Sequence, residues 1–416
     1  MKGKWLVIGA LAAAELVLGG AIVLTLWQSV GVLRSDGLQV HFFEFDNYAA
    51  EADEEQRAGV AGPATLEVDD RLGTITVVAG PAGEIVIAAH KQAWGPSQAE
   101  AQERLASLRV MVTQTGDTVA VQVVQPPEVA VIGEQRSNRV NLVITAPAAT
   151  AVTARSGFGD ISLSGTQAGA NLATGNGDVT VSEVSGDLTL ESDFGDIVVE
   201  QVESGQIQAH SDNGTVRVSG AAVDGLAALS SNFGDLRMEA GSAGSLDVET
   251  DNGVVELIDL QVAGPALVRS AFGNLTLTNV AARSYDLHSD NGKITVDGAS
   301  GSVLAGSEFG DIRITGGENV TLDLETANGR IDFAGSLGAG PHVVTSNFGD
   351  LNLTLPADAA LSLDLQTDFG QIDTQLPLTL AGSADQTHLS GTVNGGGASL
   401  TASTDNGNIT LGVLGS

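Results

Sequence analysis

Two sets of side chains stand at spacings that could hold a metal ion. Asp212, Asp251 and Asp290 each lie two residues before an Asn-Gly glycine, and His210, Glu249, His288 and Glu325 each lie four before one. If successive members stacked on neighbouring strands, the three carboxylates would repel one another. Bound Ca²⁺, which prefers oxygen ligands, would relieve that repulsion. The second set would form an alternating His/Glu ladder, able to take a transition metal or to pair by hydrogen bonds that strengthen as the imidazoles protonate. Other chemistries have no foothold. The chain has no cysteine and therefore no disulfide, thiolate site or thiol nucleophile. It contains no H-E-x-x-H, G-x-S-x-G, phosphate-binding loop, dinucleotide fingerprint or EF-hand loop. Its acidic residues recur with the sequence period instead of gathering once, whereas a catalytic site is singular. No catalytic role is therefore expected, and polysaccharide cleavage on an acidic groove is the enzymatic alternative.

Whether those columns exist depends on the elements that space them. Phe-Gly or Asn-Gly, followed two residues later by a β-forming apolar residue, occurs thirteen times, at Gly159, 177, 195, 214, 234, 253, 273, 292, 310, 329, 349, 370 and 407. The gaps run from 18 to 21 residues until a final gap of 37, as if one copy near 390 had degenerated. A period near twenty residues marks a solenoid. The residue before the glycine alternates: Phe158, Asn176, Phe194, Asn213, Phe233, Asn252, Phe272, Asn291, Phe309, Asn328, Phe348, after which Phe369 breaks the order.

Within one copy, Leu188, Leu190 and Phe194 share one parity, and Ile197 and Val199 share the other. Period-two alternation puts each set on one face of a strand, with the inward face reset at Gly195. This predicts the Phe or Asn as an inward corner residue, with Glu191, Asp193 and Asp196 pointing outward. Two coil lengths fit. A coil of one repeat alternates Phe and Asn in a single column. A coil of two repeats, roughly 38 residues, separates a Phe ladder from an Asn ladder at one strand spacing of about 4.8 Å. Strict alternation favours the longer coil, on which both metal columns depend. Against it, a shorter coil would let Lys293, Asp311, Arg330 and Asp350 neighbour and neutralise one another.

The fold class expected is all-β: a right-handed parallel β-solenoid of ~19-residue repeats over 150–412. Residues 64–149 read as an N-terminal β region in which Leu72-Gly73 resembles a degenerate repeat. That region carries one helix opening at Ser97, whose capping box with Glu100 suits a cover for the solenoid's open end. Residues 28–63 read as an acidic stalk without period. Residues 5–27 are apolar except for Glu15 and Thr25, long enough to cross a bilayer as one helix. Lys2 and Lys4 would keep residues 1–4 in the cytoplasm and the remainder of the chain outside. Cleavage as a signal peptide is the competing reading. Glu15 in mid-membrane would be protonated or matched by a polar group on a partner helix. A net charge of −33 repels nucleic acid and anionic lipid headgroups and leaves divalent cations as the partner class the charge invites.

The run Ser192-Asp193-Phe194-Gly195-Asp196-Ile197 followed by Ser211-Asp212-Asn213-Gly214 resembles a bacterial family of β-strand-repeat proteins known as "putative adhesins", similar to the toastrack-like domains of envelope-stress systems. A Leu66-x-Val68 strand, a helix and the strand 142–147 resemble its lead-in. The chain departs from the pattern at Asn274 and Gln371, which replace the Asp after Phe-Gly. The resemblance implies a membrane-tethered protein of the cell envelope. Its expected role is a non-catalytic, adhesin-like or scaffold module binding a protein or glycan, with an accessory or sensor of an envelope-stress system, acting through Glu15 and the anchor, as the alternative.

Overall fold

The computed structural model describes residues 48–125, 137–380 and 385–415. The membrane segment 5–27, with Glu15, lies outside the described residues, and no described helix is long and apolar enough to cross a membrane. The described chain is almost entirely β-strand. Between residues 170 and 219 each coil has a seven-residue strand leading into the Phe/Asn-Gly corner and a four-residue strand leaving it. Leu188–Phe194 stacks in parallel on Ala170–Asn176 below and Ile207–Asn213 above. Ile197–Glu200 stacks in the same way on Val179–Ser182 and Val216–Ser219. Alternation decides what is buried. Leu188, Leu190, Ile197 and Val199 are wholly inside, and Thr189 and Val198 lie between them on the outer face, partly exposed.

The coil takes one repeat. Asn176 is flanked by Phe158 on one side and Phe194 on the other, so Phe and Asn alternate within one column, and the two-repeat coil is overturned. The close stack of charged corner residues was the correct guide: Arg330 lies 3.9 Å from Asp311. A second expectation also fails. Phe158, Phe194, Phe233, Phe272, Phe309, Phe348 and Phe369 are not inward corner residues but are 55 to 75% exposed. The strand turns out of its parity one residue early, so that Ser192 is the last inward residue and Asp193 and Phe194 both face solvent.

The inward corner position belongs instead to Ser or Thr three residues before each glycine. These hydroxyls are buried, and each donates to the glycine carbonyl one coil below: Ser192 to Gly177 at 2.9 Å, Ser231 to Gly214 at 3.0 Å, Thr326 to Gly310 at 3.0 Å. They satisfy carbonyls that the corner withholds from the strand ladder. The glycine is required by close approach: a Cβ on Gly234 would lie 2.0 Å from the Gly214 carbonyl oxygen. Just beyond the glycine, Asp side chains tie coil to coil. Asp178 accepts from the Asp196 backbone N–H at 2.8 Å, and Asp311 from that of Arg330 at 2.9 Å. Asn274, one of the two departures, does the same for Lys293 at 2.9 Å. A second corner, six residues after the glycine, holds left-handed backbone, with φ near +53° at Glu183, Gln201, Ala240, Asp259 and Asn279.

Both ends depart from the simple stack. Leu72 pairs with Phe158, which makes residues 65–80 a true first coil. Beyond it the acidic stretch read as a stalk is in part a strand: Tyr48–Gly59 runs antiparallel to Glu84–Gly95, which in turn pairs with Arg139–Pro147. Its carboxylates find local partners, Glu54 with Lys91 and Asp53 with His90. The helix Gln98–Ser107 starts at Ser97, whose hydroxyl accepts from the Glu100 N–H at 3.3 Å. It packs on the strands 84–95 and 48–59 and buries Ala101, with Leu108 buried just past its end. At the other end, order in space is not order in sequence. The strand Ala398–Asn406 inserts between His342–Phe348 and Leu361–Phe369. His388–Val393, the apparent degenerate copy, returns antiparallel to Leu361–Phe369.

Candidate functional site

The insertion at the C-terminal end restores the alternation that the sequence breaks. In space the column reads Phe348, Asn406, Phe369, so Phe and Asn alternate without exception from Phe158 to the last coil. Adjacent strands lie about 4.8 Å apart, so successive rings stand about 9.6 Å apart with one amide between each pair. Asn176, Asn213, Asn252, Asn291, Asn328 and Asn406 are exposed like the rings beside them. The backbone beneath cannot yield, because the glycine next to each ring is pinned against the coil below. The result is a row of aromatic and amide groups, one per coil, in register from strand to strand.

The flanks are acidic. Before the column stand Asp193, Asp212, Asp251, Asp290 and Glu308, and after it Asp160, Asp178, Asp196, Asp235 and Asp311, against Lys293 and Arg330 as the only bases in the following position of the repeat copies. Near its N-terminal end the row meets a cleft lined by Leu72, Trp94, Arg139 and Phe158, where the Arg139 guanidinium stacks 5.4 Å from the Trp94 ring centre.

The columns weighed for metal binding are not assembled. Asn232 separates Asp212 from Asp251 and donates to Asp212 at 2.7 Å, and Ala271 occupies the coil between Asp251 and Asp290. His210 neighbours Glu191 and Ser230, Glu249 neighbours Ser230 and Arg269, and His288 neighbours Arg269 and Gly306. What the coil brings together is one member of each set: His210 lies 3.1 Å from Asp212, and His288 2.9 Å from Asp290. Among the described residues no three His, Asp or Glu side chains are grouped to hold a metal ion.

Asp70 and His342 depart from this solvated pattern, and both escaped sequence reading. Asp70 occupies the first coil's place in the buried hydroxyl column, opposite Ser156. It is 1% exposed, and burial pushes its pKa up to about 7. One carboxylate oxygen accepts from Leu72 N–H at 3.1 Å, and the other has no partner among the described residues. That second oxygen lies beside Gly73 as the Ser and Thr hydroxyls lie beside their glycines, with the Val140 carbonyl in place of a glycine carbonyl. A protonated carboxyl there can donate as a hydroxyl does. His342, also buried, accepts from Leu322 N–H at 3.3 Å and has its ring Nε2 3.1 Å from the Gly338 carbonyl, so it is held neutral, and burial lowers its pKa.

The family model described as Toastrack DUF4097 matches this chain twice, over residues 74–259 and 241–412. Among solved structures, a "putative cell adhesion protein" from Clostridium sporogenes ATCC 15579 is 8% identical, with 87% of this chain and 100% of that one covered at a TM-score of 0.20. A "putative adhesin" from Bacteroides fragilis NCTC 9343 is 16% identical, with 63% and 96% covered at a TM-score of 0.30. Comparison with curated proteins finds no match.

Proposed function

We propose that this chain, which belongs to the toastrack family by matching its model over both halves of the solenoid, is a non-catalytic interaction module that binds an extended macromolecule along its Phe/Asn column. The observation that carries this reading is the exposure of seven phenylalanines in one column of paired strands. Scattered exposed apolar residues need no explanation, but a contiguous row rimmed by polar groups marks a contact surface. The fold does not need the rings, since the corner is already filled by buried hydroxyls and the coils are tied by Asp side chains. A rigid backbone also keeps the ordering cost of binding low. In the same reading residues 5–27 anchor the chain in a membrane and the solenoid projects outside it, a placement supported by the length and apolarity of that segment and by Lys2 and Lys4.

The test separates folding from binding. Replacing Phe233, Phe272 and Phe309 with Ser in the full chain is expected to leave the melting temperature within a few degrees of wild type while abolishing retention on surfaces or cells that bind the wild-type protein. Retention unchanged by the triple substitution would overturn the proposal.

A further inference from the structure

Resting on that reading, we infer that the column is a docking track for one chemical class of partner: a basic peptide segment in the polyproline II conformation, with a cationic side chain on every third residue. The pitch carries the argument. Successive rings stand about 9.6 Å apart. A polyproline II helix has three residues per turn at ~3.1 Å each, so its turns repeat about every 9.3 Å. The mismatch is about 0.3 Å per ring, small enough for several turns to stay in register. A β-strand presents like-facing side chains every ~6.7 Å, and an α-helix turns every ~5.4 Å, so each is out of step by the second ring.

The groups between and beside the rings fit the same ligand. A polyproline II backbone makes no internal hydrogen bonds and leaves its carbonyls free, and each Asn amide between two rings can donate to one. Proline rings and the stems of long basic side chains lie well on aromatic faces, and guanidinium or ammonium groups gain from them by cation–π attraction. Asp193, Asp212 and Asp251 on one side and Asp196, Asp235 and Asp311 on the other would hold the cationic ends. Charge also decides against the obvious competitor, a second copy of this chain with its rings interleaved. That arrangement would bring two acidic margins together on molecules of net charge −33 each.

The experiment measures binding of the full chain to a fluorescent peptide of repeated Arg-Pro-Pro triplets by anisotropy. A peptide of the same composition, with its arginines clustered at one end, is the control. Tighter binding of the triplet peptide by about tenfold or more is expected, with that advantage lost in Phe233→Ser/Phe272→Ser although the melting curve is kept. Equal binding of the two peptides, or an advantage that survives the Phe substitutions, would mean unspecific attraction to an acidic surface and would overturn the inference. A neutral β-linked oligosaccharide is tested in parallel. Phe-dependent binding of the sugar without the peptide would also overturn the inference while leaving the interaction column standing. So would Phe-dependent self-association seen by sedimentation. Absence of Phe-dependent behaviour with every probe would remove both proposals.

Discussion

Two columns run the length of this solenoid two residues apart in sequence, and they answer to different demands. The inner one, Ser or Thr three residues before the corner glycine, is buried and bonded coil to coil. The outer one, Phe or Asn just before the glycine, is exposed. Regularity alone does not separate structure from function, because both columns are regular. What separates them is whether the fold uses the side chain. The hydroxyl satisfies a carbonyl that would otherwise be orphaned. The ring satisfies no such group, and its persistence along the column points outward.

Changes at the glycine, shared by both columns, should have the largest effect. Gly234→Ala sets a Cβ 2.0 Å from the Gly214 carbonyl oxygen, which is itself held by the Ser231 hydroxyl, so a loss of about 4 kcal/mol or more is expected in denaturant unfolding. Next is Asp70, the odd member of the inner column. Its pKa is raised from 3.8 unfolded to about 7 folded, so the folded chain holds the proton more tightly. Stability from this site is complete below about pH 4, is lost as the pH rises from about 4 to about 7, and stays lost above that. Asp70→Asn keeps a donor at every pH. It should therefore gain about 2–3 kcal/mol over wild type at pH 8 and nothing at pH 4, read from unfolding midpoints at the two pH values. A gain equal at both pH values would show that the carboxyl is not the titrating group.

The comparison is sharpest with matched single changes in one coil. Ser231→Ala removes a buried donor and should cost about 1–2 kcal/mol. Phe233→Ser, two residues on, should cost less than about 0.5 kcal/mol and should act on binding instead. Equal losses would mean that the ring is part of the framework after all. A last, small effect lies outside both columns. Ala240 is held at φ +53°, and Ala240→Gly should relieve that strain and raise stability by about 1 kcal/mol, measurable as a small rise in melting temperature.

Much of the fold was legible because it is written locally. Glycine and its neighbour mark the Phe/Asn-Gly corner of each coil, and alternation marks the strands on either side of it. The site was half legible, for reasons that lie in particular residues. Phe194 shares parity with Leu188 and Leu190, and parity misplaces it because the chain leaves the strand plane at Asp193. The better signal was the small polar residue at the third position before each glycine, the kind of side chain that fits a tight inward corner. Coil length was misread because homogeneous ladders look natural, while Arg330 and Asp311 already argued for adjacency. The strand 48–59 is acidic and lies at an edge, so hydropathy could not reveal it. Its pairing is set by Lys91 and His90, some forty residues away. The C-terminal exchange is invisible to any reading in sequence order, although a rule that Phe must neighbour Asn would have put Asn406 between Phe348 and Phe369.

That exchange constrains how the molecule can be made. Coils up to Phe348 can dock one after another as the chain leaves the ribosome, each on the one before. The strand Leu361–Phe369 cannot follow, because its seat is formed by Ala398–Asn406, which is synthesised later. Until residues 398–406 arrive, His342–Phe348 presents a bare edge able to pair with another molecule. Stacking of the last coils is thus tied to synthesis of residues 398–406, and a chain cut short before residue 398 would be left with an unpaired strand edge.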